Sequence, residues 1–244
     1  MLSPGPSDGS ATGAARFGTT HWSLVLRAGR GADEALLKLC KIYWPPLYAY
    51  TRRRGHGFHE AQDLTQGFFA HILENRAFEG VAPHKGRFRS FLLVSLKHFL
   101  DSEWHKQRTL KRGGQQVFIS WDELKPEDRE LVEPSDQWTP EKAFNRRWAL
   151  MLLERVMEQL RKEYAAARKE ELFEKLRECL TGDKHEKSYQ EIATELNMSE
   201  GGVKVAVHRL RRRFGELVRE QVERTVASPE EIDDEIRQLF AALS

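Results

Sequence analysis

The spacing of apolar residues predicts helices along almost the whole chain. From Thr20 onwards apolar residues recur three or four positions apart, the period of one helix face, and no segment alternates as a strand would. Because proline removes a backbone donor, Pro45 and Pro46 predict a kink or break in the second helix. The predicted helices cover residues 22–28, 35–54, 58–75, 87–112, 143–168, 170–180, 188–197, 199–226 and 228–244. We therefore expect an all-α fold.

Composition divides the chain into five segments. Residues 1–18 are rich in Gly, Ser, Ala and Pro, which predicts a disordered tail. Residues 19–114 and 143–227 predict two small helical domains, and residues 115–142 predict a flexible acidic linker between them. Residues 228–244 form an amphipathic extension, whose apolar stripe could pack on the C-terminal domain or bind a regulator.

The charge of the chain is unevenly distributed, although the net charge is only +2. Segments 85–112 and 204–219 are strongly basic, whereas segments 122–136 and 230–235 are acidic. Two basic islands separated by an acidic stretch predict two contacts with a polyanion.

The remaining composition narrows the class of protein. No apolar run approaches the roughly 18 residues that a bilayer requires, and the first residues lack the pattern of a signal peptide. We therefore expect a cytoplasmic protein without membrane insertion. Cys40 and Cys179 lie far apart inside helical patterns, so they are interpreted as core residues and not as a disulfide or a metal site. No cofactor is expected.

Residues 188–214 carry the pattern of a helix-turn-helix. Ser188 and Glu191 form a predicted capping box, and Ser199 is placed to cap the second helix. The small residue Ala193 allows the two helices to cross closely. The second helix would enter the major groove, with its C-terminal arginines on phosphates.

Segment 87–112 mixes aromatic and basic residues, which is typical of surfaces that bind single-stranded or melting DNA. Phe91 and Phe99 are interpreted as core by their spacing, whereas Trp104 and the basic residues near it are better candidates for a binding surface. The preceding loop, residues 78–88, could accept a base lifted out of the stack.

Three stretches in this order resemble the two-domain bacterial sigma factors of the extracytoplasmic-function (ECF) type. Residues 59–73, with Asp63-Leu64-x-Gln66-x-x-Phe69, resemble that family's polymerase-binding helix. Residues 87–108 resemble its promoter-melting and −10 recognition helix, and residues 188–214 resemble its −35 helix-turn-helix.

The resemblance implies a non-enzymatic subunit that directs RNA polymerase core to promoters and assists their melting. Its implied partners are promoter DNA, the β′ clamp and β flap of the polymerase, and an anti-sigma factor or Ser/Thr kinase. The acidic linker would thread towards the polymerase's active channel. The implied polymerase-binding residues are Asp63, Leu64, Gln66 and Phe69. The implied −10 residues are Lys85, Arg87, Phe88, Arg89, Lys97, His98, Asp101, Trp104 and Arg108. The implied −35 residues are Ser199, Lys204, His208, Arg209, Arg211 and Arg212.

The chain departs from the family's pattern at several positions. Gln62-Asp63 stands where the family often has two acids, and Gly202 and Ala206 stand where it often has Thr and Arg. Thr65 lies beside the missing acid, and its phosphorylation would add about −1.5 to −2 charges to the expected docking surface. This suggests a kinase-dependent switch, against the simpler interpretation that Thr65 is an ordinary helix residue.

Two other functional classes compete with this interpretation. A free-standing helix-turn-helix regulator would explain the C-terminal domain but not the aromatic and basic N-terminal segment. A nucleic-acid enzyme would need carboxylates clustered for a metal, or an activated nucleophile. Here the acids cluster in the linker and the tail, without a metal-ligand spacing or a Gly-rich phosphate loop. The promoter sequence, the regulon and the inducing signal do not follow from the residues.

Overall fold

The computed structural model describes residues 22–82, 84, 86–109, 138–180 and 188–244. The predicted tail at 1–18 and most of the predicted linker at 115–142 lie outside these residues. Within the described ranges the chain is helical and contains no strand, which confirms the all-α prediction.

Nine α-helices make up the described part of the chain. They are α1 (Trp22–Gly29), α2 (Asp33–Arg53), α3 (Phe58–Glu74), α4 (Phe88–Thr109), α5 (Pro140–Ala166), α6 (Glu170–Leu176), α7 (Tyr189–Glu195), α8 (Glu200–Glu223) and α9 (Ile232–Leu243). Short 3₁₀ turns at Arg177–Leu180 and Pro229–Glu231 follow α6 and precede α9. Helices α1–α4 form an N-terminal unit, and α5–α9 form a C-terminal unit.

Helix α2 continues through Pro45 and Pro46, so of the predicted kink or break, the break does not occur. Proline inside a helix costs about 3 kcal/mol because it removes a hydrogen bond and crowds the preceding turn. Here every residue from 42 to 50 is buried. A helix that is covered on all sides gains enough packing to offset that local cost.

Phe88 organises the core of the N-terminal unit. Its ring makes edge-on contacts with Trp22 and Tyr43, with centroids 6.2 and 5.4 Å apart, and tilted or stacked contacts with Phe78 and Phe91. These rings join α1, α2, α4 and the loop after α3. They place the first turn of α4, which follows the predicted nucleic-acid loop, firmly against the core.

Gly29 lets the end of α1 approach that same loop. A Cβ at this position would lie 2.7 Å from the Phe78 carbonyl oxygen, closer than van der Waals contact allows. The close approach of two backbone segments therefore requires glycine here.

Helix α5 connects the two units directly. It begins at the capping residue Thr139, whose hydroxyl accepts from the Lys142 backbone at 3.1 Å, with proline at the first helical position. Its apolar residues lie four positions apart and are all buried: Phe144, Trp148, Leu152, Val156 and Leu160. Helix α5 packs along α2 on one side and contacts α8 and α9 as well. The two helical units therefore share one continuous core.

The helix-turn-helix has the predicted caps. Ser188 and Glu191 form the capping box, and the Ser199 hydroxyl accepts from the Gly202 backbone at 3.1 Å. Asn197 takes the left-handed conformation after α7, and the Met198 backbone donates to the Ala193 carbonyl at 2.9 Å. This is the geometry of a Schellman turn, which ends α7 and reverses the chain into α8.

The C-terminal extension forms helix α9 and packs on the C-terminal unit, the first of the two alternatives that its sequence left open. Ile232, Leu239 and Ala242 are buried against α5 and α8. The adjoining acidic side of α9, which includes the buried Glu235, reaches the beginning of α4.

Candidate nucleic-acid interface

The exposed face of α8 carries four of the six predicted −35 side chains. Lys204, His208, Arg209 and Arg212 all lie on the solvent side, while Val203, Val207 and Leu210 are buried beneath them. Lys204 pairs with Glu200 at 2.7 Å and Arg212 with Glu216 at 3.0 Å. Exposed pairs of this kind are worth about 0–1 kcal/mol, so a phosphate can replace the carboxylate at little cost.

The other two predicted −35 residues hold the module together. The Ser199 hydroxyl caps α8, so it is already occupied by the helix backbone. Arg211 turns inwards, and its Nε donates to the Cys179 carbonyl at 2.8 Å. The prediction that Arg211 faces outward is wrong, because the carbonyl at the end of the 3₁₀ turn lies within its reach.

Arg213 ties α8 to α5 in a similar way. Its guanidinium donates to both oxygens of Glu163 at 2.8 Å and also reaches Glu216 and Glu220. The hydrogen bond from Arg213 holds the pKa of Glu163 below the ordinary carboxyl value, and burial opposes this shift less strongly. The fork of two parallel hydrogen bonds sets the angle between α8 and α5.

Sequence reasoning missed two exposed apolar residues at the start of α8. Val205, next to Lys204 in the helix, is 51% exposed, and Met198, just before the helix, is 39% exposed. An exposed apolar side chain at the start of a recognition helix can contact the methyl group of thymine. The signal was present in the helical period, since Val203 and Val207 are buried and Val205 between them must point away.

A second surface runs along α4. Lys97, His98, Asp101 and Trp104 are all exposed, and Trp104 retains 52% of its accessible surface. Positions 97, 101 and 104 share one face of the helix, because residues three or four apart are neighbours. Four residues of the predicted −10 set therefore lie on the protein surface.

A groove of about 410 Å³ lies beside this surface, between the N-terminal end of α3 and α4. Arg54 and Asp101 meet in it at 3.0 Å, and Leu64 and Leu100 contribute to its apolar wall. A hydrogen bond with Tyr50 chiefly raises the pKa of Arg54, and the bond to Asp101 adds to this effect. Trp104 lies at the edge of the groove, where an aromatic ring can stack on a base.

The beginning of α4 differs from the prediction. Phe88 is 2% exposed and belongs to the core, so it is not a surface residue. Arg87 and Arg89 do not face solvent but bind the acidic side of α9. Lys85 lies outside the described residues, and of Arg108 only the backbone is described.

Both arginines contact the same carboxylate. Arg89 donates to Glu235 from Nε at 2.8 Å and from Nη2 at 2.9 Å, and Arg87 reaches the same group at 2.9 Å. Arg87 also pairs with Asp234 at 2.6 Å. The Asp234 carboxyl accepts a hydrogen bond from Arg87, which holds its pKa below the ordinary value.

The buried surroundings of Arg89 complete this cluster. Its guanidinium lies 4.6 Å above the centre of the Trp148 ring and donates to Asn145, both on α5. Gln238 of α9 accepts from Arg89 at 3.0 Å. The cluster thus joins α4, α5 and α9, three helices from both units.

Two residues of the predicted polymerase-binding motif are buried in the core, and the other two are accessible at the surface. On α3, Asp63 is exposed and Gln66 is half-buried, whereas Leu64 and Phe69 are buried, at 9% and 4% exposure. The apolar members of the motif therefore position the helix and do not present themselves to a partner.

Thr65 does not lie on the exposed face where the kinase hypothesis placed it. Its side chain is completely buried and its hydroxyl donates to the Ala61 carbonyl at 2.7 Å. A kinase cannot reach this hydroxyl in the observed conformation. Thr65 follows Asp63 by two positions, which places it on nearly the opposite side of the helix, so Thr65 points inwards while Asp63 is exposed.

Cys40 and Cys179 are buried and free, as core residues should be. Burial raises the pKa of the Cys40 thiol to about 12 and also raises that of Cys179. Among the described residues, no group of three or more His, Cys, Asp or Glu side chains could hold a metal ion. In the same ranges, no helix is both long and apolar enough to cross a membrane.

Comparison with known families identifies the C-terminal module. Residues 167–214 match the family model of sigma-70, region 4. The matched segment comprises α6, α7 and the first part of α8, which together build the helix-turn-helix. No curated protein and no solved structure matches the chain significantly. The chain thus carries a DNA-binding domain of a family that acts in transcription and is not an enzyme family. The match supports a place for the chain in the sigma-70 family.

Proposed function

We propose that the protein is a sigma factor that directs RNA polymerase core to specific promoters and assists their melting. The observation that carries the proposal is the region 4 match on a helix-turn-helix with an exposed basic face. Region 4 implies contact with both promoter DNA and RNA polymerase core. The ECF type, the two-domain layout and a cytoplasmic location are parts of this proposal that rest on the sequence resemblance.

Helix α8 is proposed to read the −35 element. Lys204 and His208 lie in its N-terminal half, which enters the major groove in proteins of this architecture. Arg209 and Arg212 lie further along and are suited to phosphates, which give affinity without sequence information. Val205 supplies an apolar contact for a thymine methyl group.

Helix α4 is proposed to contact the −10 element as it opens. Lys97 provides positive charge for the backbone, His98 provides a hydrogen-bonding side chain, and Trp104 provides an exposed ring on which an unpaired base can stack. Such stacking is worth about 1–3 kcal/mol per base. Asp101, which pairs with Arg54 at 3.0 Å, sets one wall of the adjacent groove.

The exposed side of α3 is proposed to dock on the β′ clamp of the polymerase. Asp63 and Gln66 are the members of the motif that reach this side, and Gln62 lies next to them. The C-terminal unit would contact the β flap, and the acidic linker would occupy the positive channel between the two contacts. An anti-sigma factor or a Ser/Thr kinase is proposed as regulator.

Run-off transcription tests the proposal. Purified core polymerase is combined with the full chain on a pool of promoter fragments from the host. Transcripts that start at discrete sites only when the chain is present are expected. Lys204→Ala together with His208→Ala should abolish these starts, whereas the control Lys162→Ala, an exposed lysine on α5 that pairs with Glu158, should not.

The same experiment separates the sigma factor from a free-standing regulator. The region 4 match is confined to the helix-turn-helix, a module that a regulator also uses. Absence of specific starts, together with tight binding of the chain alone to a duplex fragment, would overturn the sigma-factor proposal and favour the regulator. A sigma factor is expected to bind isolated duplex poorly without the polymerase.

A further inference from the structure

The acidic side of α9 covers the basic beginning of α4. Asp234, Glu235 and Gln238 of α9 together bind Arg87 and Arg89, about 150 positions earlier in the chain. Glu235 is 1% exposed and Arg89 is 8% exposed, so this contact is sealed from solvent. We call Asp234, Glu235 and Gln238 the tail cluster.

The tail cluster is itself fixed to the C-terminal unit. Arg146 of α5 donates to the Leu243 carbonyl, and Lys142 donates to the Ser244 carbonyl at 3.4 Å. Arg219 of α8 pairs with Asp233 at 2.6 Å. Helix α9 is therefore a part of the C-terminal unit that reaches across to α4, and its contact adds to the packing of α5 along α2.

The two arginines are bound in the way that they would bind a nucleic-acid backbone. A guanidinium offers parallel donors that fit a carboxylate or a phosphate equally well. Arg89 already donates its two parallel hydrogen bonds to both oxygens of Glu235, and Arg87 contacts Glu235 and Asp234. Neither arginine can bind a phosphate while α9 remains in place.

Because the pair is buried, the contact between α9 and α4 is either closed or open. A buried charge without its partner is strongly destabilising, so Glu235 and Arg89 separate only if both become hydrated or find new partners. Separation moves α9 away from α4, while α5 stays packed along α2. A polyanion that binds the released arginines favours that open state by its differential affinity.

We infer that Arg87 and Arg89 form a binding surface for the phosphate backbone of single-stranded DNA, and that α9 is its internal competitor. The tail cluster occupies this surface in the closed chain, and opening of the contact exposes it beside Lys97 and Trp104. The inference rests on the proposed nucleic-acid role of α4.

Fluorescence anisotropy with a labelled oligothymidylate tests the inference on the full chain. Glu235→Gln removes the shared charge, and the milder pair Asp234→Asn with Gln238→Ala leaves Glu235 in place. Asp233→Asn is the matched control, since Asp233 lies on the same helix but pairs with Arg219. Because the apparent Kd is the intrinsic Kd divided by the open fraction, closure weakens binding, and Glu235→Gln should bind at least about tenfold more tightly than wild type.

The remaining variants should bind the oligonucleotide with affinities from that of wild type up to that of Glu235→Gln. The milder pair should give an intermediate gain, and Asp233→Asn should bind as wild type does. Adding Arg87→Ala to Glu235→Gln should remove the gain. Hydrogen exchange should show faster exchange over residues 232–243 in Glu235→Gln while α5 and α8 keep their protection, which excludes general unfolding.

Two results would overturn the inference. One is wild-type affinity in Glu235→Gln despite faster exchange in residues 232–243. The other is an equal gain in Asp233→Asn, which would indicate a general effect of charge.

The transcription assay keeps the inference and the proposed function distinguishable. A gain in oligothymidylate binding without promoter-specific starts in any variant supports the competitor role and contradicts the sigma-factor proposal. Promoter-specific starts that are equally frequent with wild type and with Glu235→Gln support the sigma-factor proposal and contradict the competitor role of α9.

Discussion

The carboxylate of Glu235 accepts two hydrogen bonds from the guanidinium of Arg89, at 2.8 Å from Nε and 2.9 Å from Nη2. The two residues are 146 positions apart in the sequence, and the side chain of Glu235 is almost fully buried. One residue belongs to the N-terminal unit and the other to the C-terminal extension. The contact therefore links α4 to the C-terminal extension through a buried ion pair.

A double-mutant cycle on this pair should show strong coupling. Glu235→Leu leaves the buried Arg89 without a carboxylate and should cost about 3–5 kcal/mol, whereas Arg89→Met leaves Glu235 paired only with Arg87 and should cost less. The double variant should be less destabilised than the sum of the two, since no unpaired charge remains. Urea denaturation of the four proteins measures the free energies of unfolding. Additive effects would contradict the buried pair.

Arg211 and Arg212 are adjacent in the sequence but should respond differently to substitution. Arg211→Ala removes the donor to the Cys179 carbonyl and should lower the free energy of unfolding by about 1.5–3 kcal/mol. Arg212→Ala should leave stability almost unchanged and reduce the salt dependence of DNA binding by about one phosphate contact. Thermal denaturation and binding at several salt concentrations check both. A change in the salt slope for Arg211→Ala alone would reverse these assignments.

Thr65→Glu should unfold the N-terminal unit and not strengthen polymerase binding. The side chain is completely buried, so an unpaired carboxylate there should cost several kcal/mol by desolvation. Thr65→Val keeps the shape and loses only the bond to Ala61, for about 1 kcal/mol. Circular dichroism melts of the two variants distinguish these effects.

Gln62→Glu is the informative comparison for the docking surface. It adds the missing acid next to Asp63 without placing a charge in the core, and it should strengthen polymerase binding. A stable Thr65→Glu protein with increased polymerase affinity, measured by fluorescence anisotropy, would instead support the phosphorylation hypothesis.

The pair Glu163–Arg213 should make the C-terminal unit sensitive to acid. The pKa of Glu163 is lowered in the folded protein, chiefly by its hydrogen bonds with Arg213. A carboxylate with a lowered folded pKa contributes stability above its unfolded pKa and loses it as the pH falls through the folded value. Glu163→Gln should therefore be less stable than wild type at about pH 7, and the difference should vanish towards about pH 3. Urea denaturation at a series of pH values measures this, and a constant difference would contradict it.

Local features that are read from neighbours in the sequence were predictable. The helix-turn-helix follows from the caps Ser188 and Ser199, which act within three residues, and from the helical period of Ile192, Val203 and Val207. The amphipathic pattern likewise predicted the helices α3, α4 and α9. Within a few residues, backbone geometry alone decides which side chains meet, so these interactions need no knowledge of the rest of the fold.

Tertiary structure decided which side of each helix is covered, and by what. Pro45 and Pro46 continue a helix because α5 and the N-terminal core bury it from all sides, and this packing outweighs the local cost. Thr65 and Arg211, expected at the surface, were assigned from motif positions, while their burial depends on segments far along the chain.

The difference between local and long-range contacts also explains why some residues of the predicted −10 set are exposed while Arg87 and Arg89 are covered by α9. The sequence by itself determined an all-α chain with a capped helix-turn-helix and a basic α4, and these properties are local. Only the tertiary structure brings Glu235 to Arg89, because a contact across 146 positions depends on the packing of α9 against α5 and α8. Residue type shows that an arginine can bind an anion, and the fold decides which anion it meets.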